Sequence, residues 1–215
     1  MESLSRREAA ARLDDLFASV GLPPDAKSLF PHQFSGGQRQ RLCIARALTT
    51  RPDIIVCDEA VSALDVAIQA QILNLLVRLQ AERGLAYVFI SHDLGVVQHL
   101  CDAVAVMYLG RIVEQAPTAA YFSAPRHPYS WSLIAAAVPA GPARDALKSR
   151  YLVRGEPPSP IDLPAGCRFA GRCPFAVDRC RAEDPPLLPV GPGHAVACHR
   201  VGEIRPPNLD AAQAA

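Results

Sequence analysis

The sequence has no long hydrophobic run and almost no net charge. No stretch approaches the roughly 18–20 uninterrupted apolar residues that a membrane-spanning helix requires. The first residues, MESLSRREAAARL, are too charged for a secretory signal. The 22 basic and 21 acidic residues leave a formal net charge of +1, which argues against broad binding of nucleic acid. We therefore expect a cytosolic protein, or one that a partner holds at a membrane.

Apolar residues and cysteines are what the chain does have. Half of its 215 residues are apolar, so it can bury a sizeable core. Four of its seven cysteines fall in the last fifty residues: Cys167, Cys173, Cys180 and Cys198. In a cytosolic protein, clustered cysteines are more often metal ligands than disulfides. The distribution predicts a metal site near the carboxy terminus.

Apolar periodicity predicts helices that alternate with strands up to about residue 124. The predicted helices span 7–20, 38–49, 66–83 and 93–101. The predicted strands, which are short apolar runs typical of buried parallel strands, span 53–57, 87–90 and 103–109. This order favours an α/β fold with a parallel sheet and helices on its faces.

Beyond residue 124 proline becomes frequent, and only 129–137 predicts a further helix. The change in composition marks off 125–215 as an irregular cysteine-rich extension. The predicted elements before it divide into 1–50, which ends in a helix, and 51–124, which holds the strands.

Polar side chains follow two of the predicted strands. Asp58 and Glu59 come directly after the first strand, and Ser91-His92-Asp93 follows the second. Ligands bind at the carboxyl ends of parallel strands. One acid there can hold Mg²⁺ through water, and the next can orient or deprotonate an attacking water. The alternatives are a solvated turn for the two acids and a structural or exposed role for the histidine.

A short motif places a hydroxyl and two glycines directly before a predicted helix: Ser35, Gly36, Gly37 and Gln38. The unpaired N–H groups and the dipole of a helix start attract phosphate, and glycines let a ligand approach the backbone. In the alternative interpretation Ser35 only caps the helix, and Gln38 completes a capping box.

Together these segments resemble the ABC ATPase family in order and spacing, over about residues 7–115. The matched motifs are the signature motif (Ser35–Gln38), Walker B (Ile54–Asp58), the catalytic glutamate (Glu59), the D-loop (Ser62–Asp65) and the switch histidine (His92). Ala60 is a departure, because transport members commonly carry proline there. The resemblance implies a P-loop NTPase-type (ABC ATPase) α/β fold with flanking helices.

The resemblance also implies roles for these residues and two ligands, ATP and Mg²⁺. Two ATPase domains would pair head to tail, with Ser35–Gln38 of one domain binding the γ-phosphate held by the other. Asp58 would hold Mg²⁺ through water, Glu59 would polarise the attacking water, and His92 would position the γ-phosphate. Asp65 would communicate across the dimer, and its closure would drive two membrane permease subunits.

The family also needs a G-x-x-x-x-G-K-[ST] loop, which cradles the phosphates, and this sequence contains none. We therefore expect a chain truncated at its amino terminus, a mis-called start or the product of a disrupted gene. Such a chain alone would neither bind nor hydrolyse ATP, and its sheet would keep an open edge and exposed apolar surface.

The carboxy-terminal extension indicates which branch of the ABC ATPase family the chain resembles. It contains His127-Pro128-Tyr129, the run Gly155–Pro160 and the four cysteines at the spacing C-x₅-C-x₆-C-x₁₇-C. The spacing alone does not choose among soft metals, and four free thiols are the remaining alternative. These segments resemble ATPase subunits of dipeptide and oligopeptide importers, with nickel and some sugar importers sharing the extension. The resemblance implies a [4Fe–4S] cluster held by the four cysteines, with Zn²⁺ as the alternative.

The leading hypothesis is therefore a truncated ATP-hydrolysing subunit of a peptide importer. It would lie peripherally on the cytoplasmic face of the inner membrane and serve a substrate-binding protein indirectly. The second hypothesis is a non-catalytic metal-binding or regulatory fragment that docks on a partner ATPase. An ABC ATPase of DNA repair or translation is a weaker third hypothesis, because those proteins lack the His-Pro-Tyr segment and the four-cysteine tail.

Overall fold

A computed structural model describes residues 5–137, 151, 153, 155–156, 158–159 and 161–206. The Gly155–Pro160 run lies partly outside these residues. The chain divides into two compact units, a first unit over 1–92 and a second unit over 93–215. The three-part division expected from the sequence stays a prediction.

The first unit is built on three helices whose ends have clear chemical causes. They are α1 (Arg6–Ser19), α2 (Gly36–Leu48) and α3 (Val66–Arg83), with two 3₁₀ turns between α1 and α2 at Pro24–Ser28 and Pro31–Gln33. Asp65 caps the start of α3, and Gly84 ends it in the left-handed conformation, with φ of 65°. The core of the first unit includes Val20, Leu48 and the buried residues of α3, which are Ile72, Leu73, Leu75, Leu76 and Leu79.

A two-stranded parallel sheet completes the first unit. Strand β1 (Ile54–Asp58) pairs with β2 (Ala86–Ile90), so that Asp58 lies opposite Ile90. One face packs inward, with Cys57 buried and the Tyr87 hydroxyl donating to the Leu76 carbonyl of α3 at 3.0 Å.

The opposite face of this sheet is open. Its exposed aliphatic side chains, between 48% and 63% accessible, are Ile54, Val56, Val88 and Ile90. The prediction of buried strands therefore holds for one face only, and the exposed apolar surface that was predicted for this sheet is observed. A continuous apolar run has no alternation that would distinguish a covered face from an open one.

The second unit contains a four-stranded antiparallel sheet. In spatial order its strands are β3 (Ala103–Tyr108), β4 (Arg111–Pro117), β6 (His194–Val196) and β5 (Leu188–Gly191). The prediction that 103–109 continues the parallel sheet is wrong. Leu109 and Gly110 both have positive φ, 46° and 74°, and this tight turn sends the chain directly back along β3.

Short helices and aromatic side chains surround this second sheet. The helices are α4 (Leu94–Leu100), α5 (Thr118–Ser123), α6 (Pro128–Ala137) and α7 (Asp178–Ala182). Tyr108, Tyr121 and Phe169 lie in one buried cluster, and Trp131, Ala135 and Tyr151 form another. Across the described ranges, every helix is too short or too polar to cross a membrane.

Candidate functional site

The end of β1 is held in an unusual backbone conformation. Glu59 has φ of 46°, a left-handed value that costs a non-glycine residue about 1–2 kcal/mol. Two hydrogen bonds hold it there. The Glu59 N–H donates to the Ile90 carbonyl at 3.0 Å, and the Ser62 hydroxyl donates to the Glu59 carbonyl at 3.0 Å. The turn thereby ties Glu59 to both strand ends.

Glu59 and His92 meet at this edge of the sheet. The Glu59 Oε1 lies 3.1 Å from the His92 Nδ1, and the two side chains are 54% and 73% exposed. Because both side chains are exposed, a ligand can reach them, and the pair itself contributes little to stability. Asp58, the last residue of β1, lies next to them and is also exposed. The parallel order of β1 and β2 explains why Glu59 and His92, which are 33 residues apart in sequence, meet here.

Ser35 and Gln38 form a capping box at the start of α2. The Ser35 Oγ accepts from the Gln38 N–H at 3.3 Å, and the Gln38 Oε1 accepts from the Ser35 N–H at 3.0 Å. The predicted capping of the helix by Ser35 and Gln38 is therefore confirmed. Ser35 and Gly36 are exposed, so the cap leaves this helix start open to a further ligand.

Gly37 has a packing role that its motif did not predict. A Cβ added there would lie 2.7 Å from the Ile68 Cγ2, closer than two carbon atoms approach. The backbone N–H of Ile68 also donates to the Asp65 Oδ1 at 2.9 Å, and this hydrogen bond caps the start of α3. The glycine thus lets the starts of α2 and α3 come together, and Asp65 fixes the start of α3.

The predicted residues therefore fall into two groups in the first unit. Asp58, Glu59 and His92 form one group, and the capping box with Asp65 forms the other. No hydrogen bond joins the two groups within the part of the chain that the structure describes.

In the second unit, the four predicted cysteines line one cavity of about 20 Å³. The Cys167 N–H donates to the Cys180 carbonyl at 2.8 Å, which places these two cysteines side by side. Gly166 makes this approach possible, because an added Cβ would lie 2.5 Å from backbone atoms of Cys180 and Arg181. This glycine was not among the predicted site residues.

Backbone N–H groups point at three of the sulfur atoms. The Arg200 N–H donates to the Cys198 Sγ at 3.4 Å, and the N–H groups of Phe169 and Phe175 act in the same way on Cys167 and Cys173. Burial nevertheless dominates, and it raises the pKa of Cys173 to about 12 and that of Cys198 to about 11. Without a cation these thiols are protonated.

The donor set fits a soft metal in kind, because among the described residues four thiols and no carboxylate line the cavity. Within the described ranges, however, no group of three or more His, Cys, Asp or Glu side chains stands close enough to hold a metal ion. The predicted coordination shell is thus not formed in this geometry.

A buried carboxylate that sequence reasoning missed organises the same unit. Glu114 of β4 is fully buried, and its Oε1 lies 2.8 Å from the His194 Nε2 of β6. It also accepts from the backbone N–H groups of Arg126 at 2.7 Å and His127 at 2.9 Å. An acid between the apolar residues of a strand was the signal, because such a group needs buried partners.

Two family models match the chain. Residues 113–180 match the "Oligopeptide/dipeptide transporter, C-terminal region" model, and residues 1–62 match the "ABC transporter" model. A Sinorhizobium fredii protein, named as a probable peptide ABC transporter ATP-binding protein, is 58% identical over 198 residues, which are 92% of this chain and 56% of that protein. A Bacillus subtilis protein, provisionally named as an oligopeptide transport ATP-binding protein, is 48% identical over 187 residues, which are 87% of this chain and 57% of that protein. The chain therefore spans little more than half the length of these relatives.

Solved structures share the fold. The Clostridium perfringens cbiO1, part of the ABC transporter complex cbiONQ, superposes with a TM-score of 0.52 at 31% identity, covering 57% of this chain and 48% of that one. The ADP conformation of MJ1267, an ATP-binding cassette of an ABC transporter, gives a TM-score of 0.50 at 25% identity, covering 58% and 50%. These matches confirm the predicted α/β fold of the ABC ATPase type over part of the chain, here with one parallel and one antiparallel sheet.

Proposed function

This chain belongs to the family of oligopeptide and dipeptide ABC transporter ATP-binding proteins, and from that premise we propose that it acts as an ATP-hydrolysing subunit of a peptide importer. The observation that carries the proposal is the meeting of Glu59 and His92 beside Asp58 at the strand ends. Carboxylates and an imidazole at such an edge suit the chemistry of phosphoryl transfer to water.

Each group then has one task. Asp58 would hold Mg²⁺ through water, and the bound cation would neutralise charge on the phosphates. Glu59 orients the attacking water and accepts its proton, while His92 donates to the γ-phosphate. Because Glu59 and His92 bind each other without nucleotide, the imidazole has to exchange this bond for the phosphate. The left-handed backbone of Glu59 holds the carboxylate at the strand end during that exchange.

The remaining groups act on a second ATPase subunit. The open helix start at Ser35, Gly36 and Gly37 donates N–H groups to the γ-phosphate bound by a partner, and Asp65 fixes the neighbouring start of α3. The assembly then comprises a head-to-tail pair of ATPases and two membrane permease subunits at the cytoplasmic face. A substrate-binding protein delivers the peptide to the permeases.

Isothermal titration of the 215-residue chain with Mg-ATP tests the nucleotide contacts made within one chain. We expect no micromolar binding, because this sequence contains no G-x-x-x-x-G-K-[ST] loop to cradle the phosphates. Micromolar binding by the chain alone would contradict that expectation.

Addition of this chain to a purified peptide-importer ATPase tests the trans contact. At concentrations where that ATPase is mostly monomeric, we expect wild type to raise its rate of ATP hydrolysis. Ser35→Asp is the matched variant, because aspartate still caps the helix but repels phosphate. It should fold normally and give no increase. The trans contact is rejected if wild type and Ser35→Asp raise the rate of ATP hydrolysis equally, or if neither protein raises it.

We also propose that the four cysteines bind a metal, with a [4Fe–4S] cluster as the first candidate and Zn²⁺ as the second. The convergence of the four thiols on one cavity and the N–H groups directed at the sulfur atoms support this. Anaerobic purification followed by metal analysis tests it. A broad visible sulfur-to-iron band favours the cluster, colourless protein with bound zinc favours Zn²⁺, and metal-free protein after loading with either rejects the site.

This metal site also supports a second candidate function, a non-catalytic metal-binding fragment that docks on a partner ATPase. Wild type and Ser35→Asp would then bind the partner equally and leave its rate of hydrolysis unchanged.

A further inference from the structure

His127 is a buried histidine held rigidly at the edge of the cysteine cavity. Its side chain is 1% exposed, and it lines the same cavity as the four cysteines. The Tyr129 N–H donates to its Nδ1 at 3.0 Å, and its own backbone N–H donates to Glu114 Oε2 at 2.9 Å. The ring also packs against Phe169, with centroids 5.7 Å apart. Neither the backbone nor the ring is therefore free to turn away.

These contacts fix which ring nitrogen carries the proton. A neutral imidazole has one donor and one acceptor nitrogen, and Nδ1 is the acceptor here. Burial keeps the ring neutral by lowering the pKa of His127 to about 3. Nε2 therefore carries the hydrogen, and among the residues with described positions no acceptor is bonded to it. The ring lines the cavity, so a partner inside the cavity can accept a hydrogen bond from this N–H.

We propose that His127 is a positioning residue of the four-cysteine site, whose Nε2–H donates a hydrogen bond to metal-bound sulfur inside the cavity. The inference rests on the metal site proposed above. Four thiols that release their protons on binding a divalent metal leave a net negative charge, and no acidic side chain lines the cavity in the part of the chain that the structure describes. A fixed N–H donor stabilises that charge and orients the sulfur atoms, as outer-shell donors do in other metal sites.

Zinc affinity measured by competition with a chromophoric chelator tests the inference. His127→Phe keeps the buried ring but removes the donor, and we expect it to weaken Zn²⁺ binding by roughly 10–100-fold. His127→Gln keeps an N–H at similar reach and should retain most of the affinity. His99→Phe, on the exposed surface of α4, is the matched control and should bind like wild type. Trp131 fluorescence checks that each variant is folded, because this sole tryptophan lies in the second unit.

The outcomes distinguish a failure of this inference from a failure of the proposed metal site. If wild type fails to bind Zn²⁺ or iron, the metal site itself falls and His127 with it. If His127→Phe binds Zn²⁺ as tightly as wild type, the donor role is wrong while the metal site stands. The same conclusion follows if His127→Phe and His127→Gln weaken Zn²⁺ binding equally.

A measurement on wild type covers the case in which His127→Phe does not fold. Proton–nitrogen correlation spectra of ¹⁵N-histidine-labelled protein report directly on Nε2. We expect a protonated Nε2 whose proton resonance shifts on addition of Zn²⁺. An unprotonated Nε2, or a proton that Zn²⁺ does not shift, would overturn the inference.

Discussion

Replacing Glu59 with glycine should stabilise the first unit relative to replacing it with alanine. Both substitutions remove the carboxylate and its contact with His92, so that the comparison isolates the backbone conformation. A residue with a Cβ pays about 1–2 kcal/mol at φ of 46°, which glycine avoids. Glycine loses about 0.5–1 kcal/mol more chain entropy on folding. The difference favours glycine by about 0.5–1 kcal/mol.

Native-state hydrogen exchange of the α3 amides is the appropriate assay, because that helix forms much of the core of the first unit. Trp131 cannot report on this unit, since it lies in the second. Urea unfolding followed by circular dichroism is an independent measurement. Glu59→Gln, which keeps the side-chain shape and the strain, should match wild type within the small contribution of an exposed pair. Glycine and alanine variants of equal stability would refute the idea that Glu59 is strained.

Three further predictions follow from contacts described above. Gly37→Ala should destabilise wild type by up to about 2 kcal/mol, because the cost of crowding Ile68 exceeds the helix propensity that alanine adds, yet it should stabilise the Ile68→Ala variant. An urea double-mutant cycle without this change of sign would contradict the contact. Burial lowers the pKa of His127 from 6.5 to about 3, so protonation linked to this residue should cost the second unit no stability above pH 6.5. The free energy of unfolding should then fall by about 1.4 kcal/mol per unit as the pH drops from about 6.5 toward 3, because the unfolded chain takes up the extra proton. In Trp131-detected unfolding, His127→Phe should flatten this slope; an unchanged slope would assign it to other groups. Gly166→Ala should lower metal binding and destabilise the second unit by about 1–3 kcal/mol, because its Cβ meets the backbone of Cys180–Arg181. Unchanged zinc affinity and urea midpoint would contradict this.

Local chemistry made several elements predictable. The helix over 66–83 was predicted with its observed ends, because an apolar stripe runs along it and a glycine follows it. The meeting of Glu59 and His92 followed from the order of two parallel strands, which needs no knowledge of distant residues. The family was also predictable, since its motifs are short, ordered and specific.

The errors arose where partners distant in sequence decide the structure. The strand Ala103–Tyr108 has the apolar character of a parallel strand, but the turn at Leu109 and Gly110 pairs it with β4 instead. Strand β6 pairs with β4 across about eighty residues, so periodicity in the tail gave no sign of it. The N–H donors directed at the sulfur atoms are likewise a property of folded loops and not of cysteine spacing.

The open face of the two-stranded sheet sets conditions for any experiment on this chain. This face exposes four aliphatic side chains to water, those of Ile54, Val56, Val88 and Ile90. Beside it, among the described residues, the strand edges carry unpaired peptide groups. Such a surface favours self-association, which strengthens with concentration and with warming. Light scattering across a dilution series should therefore precede any binding or unfolding curve, since a shift in aggregation would imitate a change in affinity.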